Sequence, residues 1–218
     1  MYNFQTAREN MIDCQIRTAD VTELALIKAF RTVSRENFVP KAQQALSYGD
    51  AHVICDESRV MLRPRDLAKL VQACDIKPTD VVLDIASGRG YSAAILAQLA
   101  ETVIGLETDD NMAARATSNL TEAGIDNAVI VTGDMDAGAK EHGPFDVIFV
   151  NGAVSQVPKA WKDQLSDGGR LAVVTQAGPV GNARVMTRSG NHYGERLIFD
   201  TSIPALAGVS APAEEFSF

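Results

Sequence analysis

The feature that most constrains the fold is an alternation of short apolar runs with helical segments, which begins near residue 80. Five apolar runs have the length of a strand: 81–86, 103–106, 128–131, 145–150 and 171–175. The residues between most of them show helical spacing, as in Met112, Ala116 and Leu120 before Gly124. Strands that alternate with helices form parallel sheets joined by right-handed crossovers. The sequence therefore predicts an α/β fold with a mostly parallel sheet.

The chain beyond residue 175 has a different pattern. Two strand-like runs, 183–188 and 197–203, flank a turn at 189–191 that contains Gly190. Such a pair predicts an antiparallel hairpin. We therefore expect the parallel sheet to end in an antiparallel edge.

The first 78 residues predict an N-terminal helical segment. The residues at 20–23 have the spacing of a capping box, which predicts a helix start with Leu24, Ile27, Phe30 and Val33 facing the core. A second helix is expected from Pro64, with Leu67, Leu70, Val71 and Cys74 buried. The stretch 48–63 between these helices is predicted to be irregular, which is typical of a segment that contacts substrate.

Composition and charge exclude several classes of protein. Hydrophobic residues make up 46% of the 218 residues, which indicates a globular chain, and the net charge of −8 disfavours binding to nucleic acid. No apolar run is long enough for a membrane helix, and the start lacks the apolar core of a signal peptide. Three scattered cysteines and three scattered histidines predict no metal site and no nucleophile–histidine pair. We therefore expect a cytoplasmic protein, away from membranes.

Polar and glycine residues stand where four of the predicted strands end. Gly88 and Gly90 follow the first strand, and Glu107 follows the second, seventeen residues after Gly90. Asp134 follows the third strand, and Asn151 follows the fourth. Ligands of open parallel sheets bind beyond the carboxyl ends of the strands. The sequence therefore predicts a cofactor site along this edge.

Asp84, in the first of these strands, discriminates between two classes of cofactor. The run from Gly88 to Ala93 satisfies the dinucleotide pattern, and a carboxylate at Glu107 suits two ribose hydroxyls, so NAD remains an alternative. A pyrophosphate would be repelled by the Asp84 carboxylate. S-adenosylmethionine carries a cationic sulfonium and an ammonium group and has no phosphate, and it is therefore the favoured cofactor.

Seven short stretches together resemble the protein-L-isoaspartate O-methyltransferase family over most of the chain. The stretches are MIDCQIR at 11–17, VSRENFVP at 33–40, YGD at 48–50, VLDIASGRGY at 82–91, PFD at 144–146, DGGR at 167–170 and IPAL at 203–206. The resemblance implies a Rossmann-like seven-stranded methyltransferase sheet with an antiparallel final strand. It also implies methyl transfer to a carboxylate of the isoaspartyl type, on a protein, a peptide or a small acid, and a role in protein repair.

The resemblance assigns regions and residues to these roles. Residues 1–78 would carry the helical segment and the substrate loop, and residues 79–218 the S-adenosylmethionine-binding core, within one compact domain. No residue is assigned as a catalytic base, because a carboxylate acceptor needs none. The residues expected at the cofactor are Asp84, Ala86, Ser87, Gly88, Gly90, Tyr91, Glu107, Thr108, Asp134, Met135 and Asn151.

The substrate loop departs from the family pattern. Where the family has a Gly-Gln-Thr-Ile-Ser-Gln-Pro signature, counting without gaps from Tyr48 places residues 58–64, SRVMLRP, in this chain. Val60 and Leu62 replace the two hydroxyl residues, while Arg59 and Arg63 replace the two glutamines. We therefore expect cofactor binding to be retained and isoaspartyl activity to be weak or directed to another acceptor. A non-catalytic S-adenosylmethionine-binding module and an NAD-dependent oxidoreductase remain as alternatives.

Overall fold

The computed structural model describes residues 3–56 and 59–209. Its helices and strands follow one another along the chain as α1 (Phe4–Met11), α2 (Leu24–Thr32), β1 (Val53–Asp56), β2 (Arg59–Met61), α3 (Pro64–Ala73), β3 (Val81–Ile85), α4 (Tyr91–Ala97), β4 (Thr102–Glu107), α5 (Asp110–Glu122), β5 (Ala128–Thr132), β6 (Phe145–Val154), α6 (Lys159–Asp163), β7 (Leu165–Thr175), β8 (Gly181–Ser189) and β9 (His192–Thr201). Short 3₁₀ and π-helical turns join α1, α2 and β1.

Seven strands form one mixed sheet, in the order β5-β4-β3-β6-β7-β8-β9. Within the run β5-β4-β3-β6-β7 all neighbouring strands are parallel, whereas β8 pairs antiparallel with β7 and β9 pairs antiparallel with β8 at the far edge. This arrangement confirms the predicted seven-stranded sheet with its antiparallel hairpin. The strand order reverses at β3, which lies between β4 and β6. The carboxyl end of β3 is therefore the topological switch point, where ligands of such sheets bind.

The sheet is covered on both faces. Val82 and Leu83, which are neighbours in β3, belong to two different hydrophobic clusters because successive side chains of a strand point to opposite faces. One cluster joins Val82 to N-terminal residues such as Phe30, and the other joins Leu83 to Trp161 of α6. The N-terminal helices therefore share a core with the sheet. No helix in the described ranges combines the length and apolar character that crossing a membrane requires.

The start of α2 differs from the expected capping box. Asp20 has a left-handed backbone with φ of 63°, and the helix begins at Leu24 without a side-chain cap. The side-chain oxygen of Gln72 instead accepts from the backbone N–H groups of Thr22 and Glu23. Leu24, expected in the core, is 76% exposed. A residue 50 positions away in the sequence therefore supplies the polar contact that the local pattern assigned to Asp20.

The other corrected expectation concerns the stretch 48–63, which is not wholly irregular. Its strands β1 and β2 pair antiparallel, with Val53 opposite Met61 and Ile54 opposite Val60. The residues Glu57 and Ser58 lie outside the described part of the chain. The second predicted helix, by contrast, begins at Pro64 as expected, and its four predicted apolar side chains are buried. The hairpin thus leads directly into α3 and brings β2 towards the edge of the sheet.

Candidate functional site

The turn between β3 and α4 depends on backbone angles that favour glycine. Gly88 has φ of 60° and Gly90 has φ of 90°, while Ala86 adopts φ of 59° although it has a side chain. A Cβ atom at Gly90 would lie 3.3 Å from the carbonyl oxygen of Ala116 in α5. Glycine at position 90 therefore allows the turn to cross closely over α5 before α4 begins.

The carboxylate of Asp84, at the end of β3, is fully buried and is held by three side chains. Ser87 and Ser92 donate hydroxyl hydrogen bonds of 2.8 and 2.7 Å to Oδ2, and the Asn151 amide donates one of 2.7 Å to Oδ1. Burial raises the pKa of Asp84 to about 7, against the lowering effect of these three donors. Asp84 thus organises the turn, and any effect on a ligand passes through Ser87, Ser92 and Asn151.

Glu107, at the end of β4, reaches back to the same turn. Its Oε1 accepts from the backbone N–H of Gly88 at 2.5 Å, and its Oε2 accepts from the N–H of Thr108 at 3.2 Å. The side chain is completely buried. The structure therefore brings Gly88 and Glu107 together at the carboxyl edge, where the sequence predicts a ribose-binding carboxylate.

Arg59 of β2 lies directly on the Glu107 carboxylate. Its Nε is 3.2 Å from both carboxylate oxygens, and its Nη2 is 3.0 Å from Oε2. Its Nη1 donates to the carbonyl oxygen of Ala207 at 3.3 Å. Both side chains of the pair are almost completely buried. The sequence suggested a substrate-loop role for Arg59, and nothing in the local pattern pointed to Glu107 as its partner.

Asp134 and Met135, which the sequence analysis expects at the cofactor, have different surroundings from each other. Asp134 is exposed, and its Oδ1 accepts from the backbone N–H of Asp136. The Met135 side chain is buried in the core, and its carbonyl oxygen accepts from the Trp161 indole at 2.7 Å. In this structure Asp134 faces solvent and Met135 packs into the protein. Their roles towards a cofactor stay predictions.

The C-terminal segment 206–209 lies over this part of the edge. A Cβ atom at Gly208 would lie 3.4 Å from Cγ2 of Thr108 and 3.5 Å from Cγ of Met135. Leu206 pairs with β6, its N–H donating to the carbonyl oxygen of Ala153. The segment therefore lies close to Thr108 and Met135, two residues that the sequence placed on the same ligand.

A small cavity remains between the hairpin and the turn. Its volume is about 20 Å³, which is enough for about one water molecule. Its lining includes Val60 and Leu62 from the hairpin side, Ser87 from the turn, Tyr91 from the start of α4 and Asn151 from β6. Val60 and Leu62 thus face the predicted cofactor edge, and the space between the two elements is mostly apolar on the hairpin side.

Arg63 does not join this cavity lining. Its Nε is 2.7 Å from Oδ2 of Asp66, and its Nη2 donates to the hydroxyl of Thr201 at 2.9 Å. Its backbone N–H donates to Nδ1 of His52 at 3.1 Å. Arg63 therefore anchors the base of the hairpin to α3 and β9, and a direct contact with substrate stays a prediction.

Arg35 is a buried residue to which the sequence assigned no role. It donates to the carbonyl oxygens of Ser47 at 2.6 Å and of Leu62 at 2.7 Å. Its guanidinium carbon lies 4.8 Å from the centre of the Tyr91 ring, a cation–π contact. Arg35 thus positions Leu62 and Tyr91, which both line the small cavity. The only sequence signal is its place in the stretch 33–40, which carries part of the resemblance.

Comparison with known proteins identifies the family to which this arrangement belongs. The family model described as Protein-L-isoaspartate(D-aspartate) O-methyltransferase (PCMT) matches residues 6–198. The protein-L-isoaspartate O-methyltransferase 1 of Syntrophobacter fumaroxidans is 32% identical over 182 residues, which cover 84% of this chain and 83% of the relative. The protein-L-isoaspartate O-methyltransferase of Methanoculleus marisnigri is 36% identical over 172 residues, or 79% and 77% of the two chains.

Solved structures agree with this result. A protein-L-isoaspartate O-methyltransferase superposes with a TM-score of 0.80 and 25% identity over 92% of this chain, which spans 66% of that longer chain. A Plasmodium falciparum protein, described as a putative member in complex with S-adenosyl-L-homocysteine, has a TM-score of 0.77 at 20% identity over 94% and 99% of the two chains, and supports the fold alone. The comparisons favour neither the non-catalytic module nor the oxidoreductase. The chain belongs to the protein-L-isoaspartate(D-aspartate) O-methyltransferase family.

Proposed function

We propose that the protein transfers a methyl group from S-adenosylmethionine to a carboxylate of a protein or peptide substrate. The observation that carries the proposal is the paired arrangement of Glu107 with the Gly88 N–H at the switch point of a methyltransferase sheet. Family membership supplies the reaction class. The isoaspartyl carboxylate is the acceptor that this membership favours.

The donor set fits S-adenosylmethionine chemically. The Glu107 carboxylate, which Arg59 contacts in this structure, has two oxygens that suit the two ribose hydroxyls, and it would repel a phosphate at this place. Asp84 contributes through Ser87, Ser92 and Asn151, which it holds in place beside the turn. When bound, S-adenosylmethionine supplies a methyl group on a cationic sulfur. We therefore propose that Glu107 contacts the ribose, and that Ser87, Gly88 and Asn151 contact the remainder of the cofactor.

Catalysis in this proposal consists of positioning. A carboxylate is itself the nucleophile, so the chain needs no general base, and orientation of the acceptor supplies most of the rate enhancement. Val60 and Leu62 form the apolar side of the acceptor space, and Arg35 holds the Leu62 backbone in place. An apolar side chain cannot donate a hydrogen bond to the acceptor carboxylate. The missing donor costs about 1–3 kcal/mol, or roughly 10–100-fold in rate.

We further propose that the substrates are damaged proteins of the cytoplasm. The cysteines Cys14, Cys55 and Cys74 are free in the structure, which is typical of proteins from a reducing compartment. The net charge of −8 disfavours an acceptor on nucleic acid. Repair of isoaspartyl sites would make protein and peptide chains the partners of this enzyme.

Two measurements test the proposed function. Calorimetric titration with S-adenosylhomocysteine should show saturable binding, and an isoaspartyl peptide should accept a methyl group from labelled S-adenosylmethionine. The double variant V60T/L62S restores the two hydroxyls and should increase peptide turnover by roughly 10-fold or more, since each regained hydrogen bond contributes about 1 kcal/mol. The corresponding peptide with ordinary aspartate is the matched control. Absence of methylation by both proteins would contradict the proposal.

A further inference from the structure

The contacts of Glu107 leave no free position for a ligand. A carboxylate has about four lone-pair sites. Oε1 accepts from the Gly88 N–H and from Nε of Arg59, and Oε2 accepts from the Thr108 N–H and from Nε and Nη2 of Arg59. A ribose that binds Glu107 must therefore replace the guanidinium of Arg59.

A second part of the chain, the segment 206–209, also covers the site around Glu107. A Cβ atom added at Gly208 would be in van der Waals contact with the side chains of both Thr108 and Met135, so the segment 206–209 lies close to both. The preceding carbonyl, that of Ala207, accepts a hydrogen bond from Nη1 of Arg59. Arg59 thus ties the hairpin β1–β2 and the segment 206–209 to each other and to Glu107.

We propose that Arg59 and the segment 206–209 form a latch that occupies the adenosine half of the cofactor site and must open before S-adenosylmethionine binds. This inference rests on the proposed function, because it assigns the same site to the cofactor. The latch couples cofactor binding to movement of the hairpin that carries Val60. Opening of the latch would form the cofactor pocket and move the Val60 side of the acceptor space in one conformational step.

The strand pairing of the hairpin permits such a movement. The hairpin consists of two short strands that pair only with each other, so its displacement breaks no hydrogen bond of the seven-stranded sheet. Its polar links to the body include a hydrogen bond of 3.3 Å from Nε of Arg89 to the carbonyl oxygen of Cys55 and the Arg115–Asp56 pair at 3.6 Å, while Val53, Cys55 and Met61 pack into the core and hold the base of the hairpin. Exposed ion pairs contribute little to stability. The ion pair of Arg59 with Glu107, by contrast, is buried.

The expected effect follows from the population of the open form. If the open form accounts for about 1–10% of the molecules, the apparent affinity for a ligand is reduced by roughly 10–100-fold. A substitution that removes the guanidinium releases this restraint. Arg59→Gln introduces the residue of the family signature at this position, so the acceptor loop keeps a polar side chain.

The test is calorimetric titration of S-adenosylhomocysteine into the wild-type protein, R59Q, R59K and R65Q. We expect R59Q to bind at least about 10-fold more tightly than the wild type, and R59K, which keeps the charge but not the forked contact, to lie between them. R65Q is the charge-matched control, because Arg65 pairs with Asp50 and Asp66 away from Glu107, and its affinity should equal that of the wild type.

Equal or weaker binding by R59Q would overturn the latch while leaving the proposed function in place. An equal gain in R65Q would also overturn it, since a general charge effect would then explain the affinity. If R59Q does not fold, R59K decides alone: tighter binding supports the latch, and equal or weaker binding overturns it. Absence of binding by all four proteins would overturn the proposed function together with the latch.

Discussion

The amide of Asn151 in β6 donates a 2.7 Å hydrogen bond to the Asp84 carboxylate in β3, joining two neighbouring strands where ligands of this fold bind. The same amide group also donates to the carbonyl oxygen of Ile85 at 3.1 Å. Asp84 in turn holds the hydroxyls of Ser87 and Ser92. A buried carboxylate thus organises the turn that the sequence assigned to direct cofactor contact.

The raised pKa of Asp84 predicts a pH-dependent stability. In the unfolded chain this carboxyl loses its proton near its ordinary value of 3.8, whereas the folded protein keeps the proton up to about pH 7. Between these values the folded state binds more protons, so the free energy of unfolding falls as the pH rises from about 4 to 7. The linked loss is on the order of 4 kcal/mol.

The isosteric variant D84N isolates this effect. Urea unfolding of both proteins at several pH values should show the wild type losing stability relative to D84N between pH 4 and 7, and no further change above pH 8. A stability difference independent of pH over this range would show that Asp84 is ionised in the folded protein at low pH.

Removal of the Asn151 amide should destabilise the turn. N151A deletes one donor to a buried carboxylate, and an unsatisfied buried group of this kind costs about 1–3 kcal/mol or more. We expect a corresponding decrease in the free energy of unfolding and a further rise in the pKa of Asp84. N182A is the control, because Asn182 donates at 2.8 Å to an exposed carboxylate, that of Asp200. Equal effects of the two variants would contradict the prediction.

Arg35, a charged residue whose side chain is fully buried, should contribute to stability. R35M removes hydrogen bonds to two buried carbonyl oxygens and the cation–π contact with Tyr91, which predicts a loss of about 2–5 kcal/mol. R31M is the matched control, since Arg31 pairs with Glu9 at the surface and should contribute less than about 1 kcal/mol. Chemical denaturation measures both, and a loss below 1 kcal/mol in R35M would refute the role.

A side chain at position 90 should destabilise the folded protein. G90A places a methyl group 3.3 Å from the Ala116 carbonyl at a φ of 90°, so both steric contact and backbone strain oppose it. We expect a decrease of about 1–3 kcal/mol in the free energy of unfolding. G124A shares the positive φ, at 69°, but has no atom within 4 Å of the added group, and it should cost only the backbone part. Thermal unfolding of the two variants distinguishes the steric contribution, which only G90A has, from the backbone contribution that both variants share.

Several expectations from the sequence depend on local pattern and are confirmed. The apolar runs become the strands of the parallel part of the sheet; the central ones are buried because both faces are covered, whereas β5 at the edge is partly exposed. The antiparallel edge follows from the turn around Gly190. The carboxyl ends of parallel strands lie on one edge, which is why Gly88 and Glu107, both expected along that edge, lie close together.

What the sequence by itself determined is the sheet, its edge and the residue types available there, since strand and helix periods are properties of neighbouring residues. The tertiary structure alone decided which polar groups become partners. Arg59 meets Glu107 across 48 positions and Gln72 meets Thr22 across 50. Each pair forms because separate elements are packed together by burial of apolar side chains, which has no direction and leaves no local mark in the sequence.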